Sequence, residues 1–194
     1  MDFKLNSKMI LGIVVTGLIL FVWLGYNSLV SKEEKATSAW AQVENVYQRR
    51  ADLIPNLVAT VKGYAAHENE TFLAVTEARN NATSIKVENL SKDEIAKFQK
   101  AQDGLGQALG RLIAIGEAYP DLKASDNFRD LQAQLESSEN RIAVERNKFN
   151  ETVRAYNVAT RRFPSNILAS IFGFEMKGYF TAAEGAEVAP KVEF

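Results

Sequence analysis

The stretch that decides the fold runs from Ser125 to Phe163 and reads SDNFRDLQAQLESSENRIAVERNKFNETVRAYNVATRRF. As a helix from Ser125 to Arg162 it would be roughly 57 Å long, and a single helix of that length with one apolar stripe is not stable alone. Mostly apolar residues recur in it at alternating spacings of four and three, which is typical of nearly parallel packed helices. The stretch therefore predicts an all-α bundle with its seam on Phe128, Leu131, Leu135, Ser138, Ile142, Glu145, Phe149, Thr152, Tyr156, Ala159 and Phe163.

A second apolar stripe with helical spacing begins near residue 36. Pro55 interrupts it, and a proline inside a helix costs about 3 kcal/mol. Because the stripe keeps its register across Pro55, we expect a kinked continuation. A further break near His67 is left open, so the bundle has three or four antiparallel helices. The members of the stripe are Ala36, Trp40, Val43, Tyr47, Ile54, Leu57, Val61, Tyr64, Phe72 and Val75.

The start of a third helix is predicted at Ser91-Lys-Asp-Glu94, which has the spacing of a capping box. In such a box the serine oxygen and the glutamate carboxylate each accept a free amide of the first turn. Pro120 ends the helix. Its stripe consists of Ile95, Phe98, Gln102, Leu105, Leu109, Leu112 and Tyr119.

The chain is uncharged from Met9 to Leu29, and its continuous apolar part, Met9–Gly25, is about 26 Å long as a helix, near the lower limit for spanning a bilayer. Ten Leu, Ile, Val or Phe residues between Leu11 and Leu24 contribute about −3 to −7 kcal/mol to insertion. A cleaved signal peptide is the alternative, but the run is too long and lacks a small-residue cleavage site. We therefore predict a single transmembrane anchor, represented by Met9, Leu11, Val15, Leu20, Trp23 and Tyr26.

The domain organisation that follows has four parts: a short tail (1–8), the anchor (9–29), the helical bundle (30–163), and a C-terminal apolar segment with an extended tail (164–194). Lys4 and Lys8 precede the anchor, and Lys32 and Lys35 follow it. This near balance decides orientation weakly, and the N-terminal amine favours an inside N-terminus. We expect a single-pass protein of the bacterial cytoplasmic membrane with its bundle outside the cytoplasm.

The C-terminal apolar segment after the Phe163-Pro turn has two possible roles. It could close the open end of the bundle as a lid, or it could bind a membrane surface or a partner. If the bundle has three helices this segment lies far from the membrane, whereas four helices bring it back beside the bilayer. Its candidate interaction residues are Ile167, Leu168, Ile171, Phe172 and Phe174.

The composition argues against most kinds of chemistry. The chain has no Cys and one His, and its formal net charge is −1, which excludes thiolate sites and gives no reason to expect nucleic acid. His67 has Thr71 and not a second histidine four residues later, so the zinc-helix motif fails. We predict no catalytic, metal or cofactor-binding residue and no small-molecule substrate. Charged residues beside the seams are interpreted as inter-helix ion pairs: Arg49, Arg50, Asp52, Glu68, Glu77, Arg79, Glu145, Arg161 and Arg162.

Several motifs together resemble the LemA family of bacterial membrane proteins. The resemblance implies a single N-terminal span followed by an antiparallel helical bundle, often outside the cytoplasm, with no established enzymatic activity and no agreed site residues. It also implies a link of some relatives to magnetosome membrane formation, and of family genes to those of membrane zinc metalloproteases. The motifs are Tyr26-Asn-Ser-Leu-Val30, Ala39-Trp40, Arg49-Arg-Ala-Asp-Leu-Ile-Pro-Asn-Leu-Val58, Val61-Lys-Gly-Tyr64, His67-Glu68, Ala78-Arg79, Phe163-Pro-Ser-Asn166, Phe172-Gly-Phe174, Tyr179-Phe180, Glu184-Gly-Ala186 and Ala189-Pro-Lys-Val192.

Three hypotheses about function follow. The first is a membrane-anchored scaffold or adaptor that binds other proteins or copies of itself. The second is a regulator or cofactor of a membrane metalloprotease in envelope protein quality control. The third, an enzyme that uses buried carboxylates such as Glu68 and Glu77, has the least support, because nothing in the spacing selects a catalytic pair.

Overall fold

The structure, a computed structural model, describes residues 7–181. Within this range there are α-helices and no β-strand, so the all-α prediction is confirmed. The helices are α1 (Ser7–Lys62), α2 (Asn69–Ser84), α3 (Lys92–Ala118), α4 (Pro120–Lys123), α5 (Asp126–Arg161) and α6 (Ser165–Phe172).

Helix α1 is 56 residues long, or about 84 Å. It continues through Pro55, as the register of the apolar stripe predicts. Residues 7–24 of this helix are exposed, whereas from Leu29 onward one stripe of the helix is buried. One continuous helix therefore supplies both the predicted anchor and the first helix of the bundle.

The chain reverses at residues 63–68, the loop that contains the exposed His67. Helix α2 then runs back along α1, and the Nε of Arg79 donates a hydrogen bond to the carbonyl oxygen of Ala51 at 2.9 Å. The break near His67, which the sequence left open, is thus present. It gives the bundle four long helices: α1, α2, α3 and α5.

These four helices run alternately up and down. Helix α3 is parallel to α1, since Phe98 lies 5.1 Å from Tyr47 between ring centroids and Gln102, one turn later, accepts from Arg50. Helix α5 is antiparallel to α1, since Trp40 lies edge-on against Phe149 and Arg50, farther along α1, binds Glu139, which is earlier on α5. The end of α5 consequently returns to the part of α1 where the apolar N-terminal run stops.

The bundle core consists of two apolar clusters along its length. The cluster far from the N-terminus includes Ile54, Leu57, Val61, Phe72, Leu105, Leu112 and Phe128. The other is rich in aromatic residues and includes Trp40, Tyr47, Phe98, Ile142, Phe149 and Phe180. Both clusters draw on the predicted stripes, so the seam residues determine the packing.

The capping box at the start of α3 is confirmed. The hydroxyl oxygen of Ser91 accepts the backbone N–H of Glu94, and the Glu94 carboxylate accepts the backbone N–H of Ser91 at 3.0 Å. The hydrogen bond from the Ser91 amide is the main reason why the pKa of the Glu94 carboxyl is lowered, and the amides of Glu88 and Asn89 add to it.

Helix α5 buries most of its predicted seam, including Phe128, Leu135, Ile142, Phe149 and Tyr156. Phe163 is exposed instead, because α5 ends at Arg161 and the chain turns there. The helix also buries a second set of residues that the seam did not include: Val153, Asn157 and Thr160. Of these, Asn157 binds the backbone of Lys177, and Val153 belongs to the same core cluster as Phe180.

Candidate interaction site at the anchor end of the bundle

The six residues chosen to represent the anchor all lie on α1 and are all exposed: Met9, Leu11, Val15, Leu20, Trp23 and Tyr26. Among the described residues, α1 is the one helix that is long and apolar enough to cross a membrane, and no part of its most apolar 18-residue window is buried against the protein. An apolar helical surface of this length requires a covering that the bundle does not provide.

Helix α6 packs against α1 where this apolar run ends. Leu168 and Ala169 are buried, and together with Leu29 they form a small core separate from the two clusters of the bundle. Leu168 lies directly on Gly25, since a Cβ at that position would be 2.3 Å from Cδ1 of Leu168. Leu168 therefore packs inward against α1.

Aromatic contacts fix the other end of α6. The ring of Tyr26 meets the rings of Phe172 and Phe174 edge-on, with centroids 4.9 Å and 5.7 Å away. Such pairs contribute about 0.5–1.5 kcal/mol each beyond their buried area. Gly173 ends α6 in the left-handed conformation (φ 75°), which a glycine adopts without steric cost. Beside Phe172 lies a groove of about 470 Å³ lined by Leu18, Ile19, Val22, Trp23, Tyr26 and Phe172.

The remaining face of α6 is uncharged, mostly apolar and exposed. Ile171 is 68% exposed, and Ile167 and Phe172 are about half exposed. The chain contains no charged residue from Phe163 to Phe174. Of the five candidate interaction residues, Leu168 and Phe174 thus pack inward, whereas Ile167, Ile171 and Phe172 face outward.

After α6 the chain does not leave the bundle. Residues 175–181, here called the C-terminal segment, run back along α5 and α3 in extended form, where three buried or half-buried amide side chains bind their backbone. Asn157 donates to the carbonyl of Lys177 and accepts its N–H, both at 2.9 Å. Asn150 does the same with Phe180, and Gln99 with Thr181.

The C-terminal segment also completes the core. Phe180 is buried among Trp40, Phe98 and Phe149, with its ring 5.6 Å from that of Phe149. Gly178 donates to the carbonyl of Leu90 and lies against α3, where a Cβ would be 2.7 Å from the Cα of Lys92. Sequence reasoning missed this arrangement. The remainder of the predicted extended tail lies outside the described residues.

An ion pair links the C-terminal segment to α1 at the end of the bundle nearest the anchor. Lys177 lies 2.8 Å from Glu33 on α1 and 5.6 Å above the ring of Tyr156. Burial is the main reason why the pKa of the Tyr156 phenol is raised, and the charges of Glu33 and Glu175 add to it. The phenol is therefore neutral at physiological pH and unsuited to act as a base.

The middle of the bundle contains a buried polar layer around Arg50, which is 5% exposed. Its guanidinium donates to Glu139 at 2.7 Å and to Oε1 of Gln102 at 2.8 Å. Among the charged residues interpreted as inter-helix ion pairs, Arg50 forms one, while Arg79 binds a backbone carbonyl and Glu145 pairs within α5. Residues 7–181 bring no three His, Asp or Glu side chains together as metal ligands.

Comparison with known proteins gives one family. A family model described as the LemA family matches residues 39–194. The magnetosome protein MamQ of Magnetospirillum gryphiswaldense is 32% identical over 89% of this chain and 72% of its own length. The magnetosome protein MamQ 2 of Paramagnetospirillum magneticum is 29% identical over 90% and 72%. The protein LemA of Metamycoplasma hominis is 25% identical over 89% and 76%.

Proposed function

Because the chain belongs to the LemA family, we propose that it is a scaffold or adaptor that crosses the bacterial cytoplasmic membrane once and holds a rigid helical bundle at the membrane surface. Its work is to bind proteins, either partners or second copies of itself. The bundle lies outside the cytoplasm in this proposal.

The observation that carries this proposal is the continuity of α1. The exposed apolar part and the bundle part belong to one 56-residue helix, so no flexible linker separates the anchor from the body. The bundle does not bury the apolar part of α1. Lipid would bury it instead, and transfer into hydrocarbon is favourable for each of its exposed apolar side chains. Confinement to a membrane raises effective concentration, so weak contacts on the bundle suffice for binding.

Exposed apolar side chains on the bundle mark the surfaces at which binding is expected. Val144 on α5 is 51% exposed and Leu73 on α2 is 63% exposed, and both lie far from α6 along the bundle. Two relatives are named as magnetosome proteins. This favours a role in assembly over a role in chemistry.

The test is photo-crosslinking in native membranes. A benzophenone amino acid replaces Val144 or Leu73 in the full chain, and Glu151, an exposed polar position on α5, serves as the matched control. Two differently tagged copies, expressed together, separate self-association from binding of another protein. We expect intermolecular adducts from at least one apolar position and fewer from Glu151.

Adducts from none of these positions would refute the adaptor role. Quantitative proteomics of a strain that lacks the protein addresses the metalloprotease alternative. A scaffold leaves the turnover of other membrane proteins unchanged, whereas a protease regulator alters it. Altered turnover without adducts would therefore favour the second hypothesis.

A further inference from the structure

We propose that α6 is a second membrane-binding element: it lies in the leaflet next to the bundle, with Ile167, Ile171 and Phe172 in contact with lipid acyl chains. This inference rests on the proposed membrane span of α1. It assigns the exposed face of α6 to lipid and not to a protein partner.

Helix α6 meets α1 at a depth that lies within the lipid. The apolar run Met9–Gly25 has its centre near residue 17, and a hydrocarbon core of about 30 Å extends roughly ten residues to either side. Centring the core between Lys8 and Lys32 shifts the boundary by only about three residues. The hydrocarbon core therefore ends near residues 27–30 of α1.

The contacts of α6 lie on the lipid side of that boundary. Leu168 packs on Gly25, and the Phe172 ring packs on Tyr26. The groove beside Phe172 reaches Val22 and Ile19, which lie about 7–12 Å and about 12–17 Å, respectively, below the boundary along α1. A helix docked at this level touches acyl chains with any side chain that faces away from α1.

The exposed apolar surface is continuous from the anchor to α6. The groove between α1 and Phe172 is lined by residues of the anchor, so lipid that covers the anchor also covers Phe172. The exposed face of α6 extends this surface without a charged interruption, because residues 163–174 carry no charge and the exposed polar residues of α6 are the neutral Asn166 and Ser170.

Charge placement agrees with this depth. Arg161 and Arg162 directly precede the uncharged stretch and are exposed, and Glu175 and Lys177 follow it. At a membrane surface, apolar side chains are buried about 5–10 Å into the headgroup–acyl boundary and basic residues are attracted to anionic headgroups, so cations at the start of the uncharged stretch suit this depth. One face of α6 thus packs against Leu29 of α1, and the opposite face lies in the leaflet.

Site-directed spin labelling tests this inference, and the natural chain has no Cys to interfere with it. Single cysteines replace Ile171, Leu20 or Val144 in the full chain, which is labelled and reconstituted in phosphatidylcholine–phosphatidylglycerol nanodiscs. Collision rates with oxygen, which concentrates in lipid, and with a water-soluble nickel chelate are then compared. Circular dichroism confirms that each labelled protein is folded, and a label at Ile167 repeats the measurement on the same face.

We expect the oxygen-to-nickel collision ratio at Ile171 to be well above that at Val144, an exposed apolar position in the water-facing bundle, and below that at Leu20, which lies near the bilayer centre where oxygen is most concentrated. A ratio at Ile171 equal to that at Val144 would overturn the inference, because α6 would then face water. Low collision rates with both reagents would also overturn it, because a second copy would then cover α6. A water-like ratio at Leu20 would instead refute the membrane span, so the two failures are distinguishable.

Discussion

Replacement of Asn157 by Ala should release the start of the C-terminal segment from α5. The side chain makes two hydrogen bonds to Lys177, one as donor and one as acceptor, both at 2.9 Å. A neutral hydrogen bond contributes about 0.5–1.5 kcal/mol, so the loss of both removes about 1–3 kcal/mol from the local closing free energy. At 1.4 kcal/mol for each factor of ten, the backbone amide of Lys177 should exchange with solvent roughly 5- to 150-fold faster.

Hydrogen–deuterium exchange with mass spectrometry, on peptides that cover residues 174–181 of the detergent-solubilised full chain, measures this change. The matched control is Asn147→Ala, an exposed asparagine on the same helix, which should leave exchange of these peptides unchanged. If Asn157→Ala also leaves it unchanged while the helical content is intact, the amide contacts do not hold the C-terminal segment, and the argument for its role in the core is wrong.

Three further changes test other parts of the structure. Phe180→Ala should lower the free energy of unfolding of the bundle by about 3–5 kcal/mol in urea titrations, since Phe180 fills the aromatic cluster, whereas Tyr179→Ala, at an exposed site, should cost little. Glu139→Gln should cost about 1.5 kcal/mol or less in the same titration, because it weakens a charged hydrogen bond to the buried Arg50 but is itself largely exposed. Because the pKa of the Glu94 carboxyl is lowered by folding, the ionised carboxylate stabilises the fold above the pKa of an unfolded glutamate, near 4.3. This stabilisation disappears as the pH falls through the lower pKa of the folded state, so the difference in unfolding free energy between wild type and Glu94→Gln should vanish below about pH 4. A difference that stays constant with pH would contradict this prediction.

The helices were predictable from the sequence because each carries a regular stripe. The four-and-three spacing of α5 and the capping box at Ser91 give the element type, and Pro55 causes no break because the stripe of α1 stays in register across it. The reversal near His67 was not decided by sequence, since a loop of six residues with no proline differs little from a weak stretch of helix.

The C-terminal segment was not predictable by the same reasoning. An extended segment without hydrophobic periodicity gives no pattern from which its position can be predicted. Its partners are side-chain amides, which from sequence alone are expected to lie on the polar surface of a helix. Asn150 and Asn157 are seven residues apart on α5, which places them on one face of the helix. This spacing was the one sequence feature that could have indicated the binding site of the C-terminal segment. It indicates such a site only when Asn157 is known to be buried.

Rigid attachment has a consequence for how bundles meet in the proposed membrane orientation. A flexible tether raises local concentration but leaves each body free to rotate, so association still loses rotational freedom. Here α1 passes into the bundle without a break, and α6 holds a second side of the bundle at the lipid boundary. From Leu29 to Lys62 the bundle then extends about 50 Å from the membrane, and Val144 lies about 25 Å from the end of α5 in every copy. Side-by-side copies present the same residues at the same height, so a small apolar contact at that height suffices for association within the membrane plane.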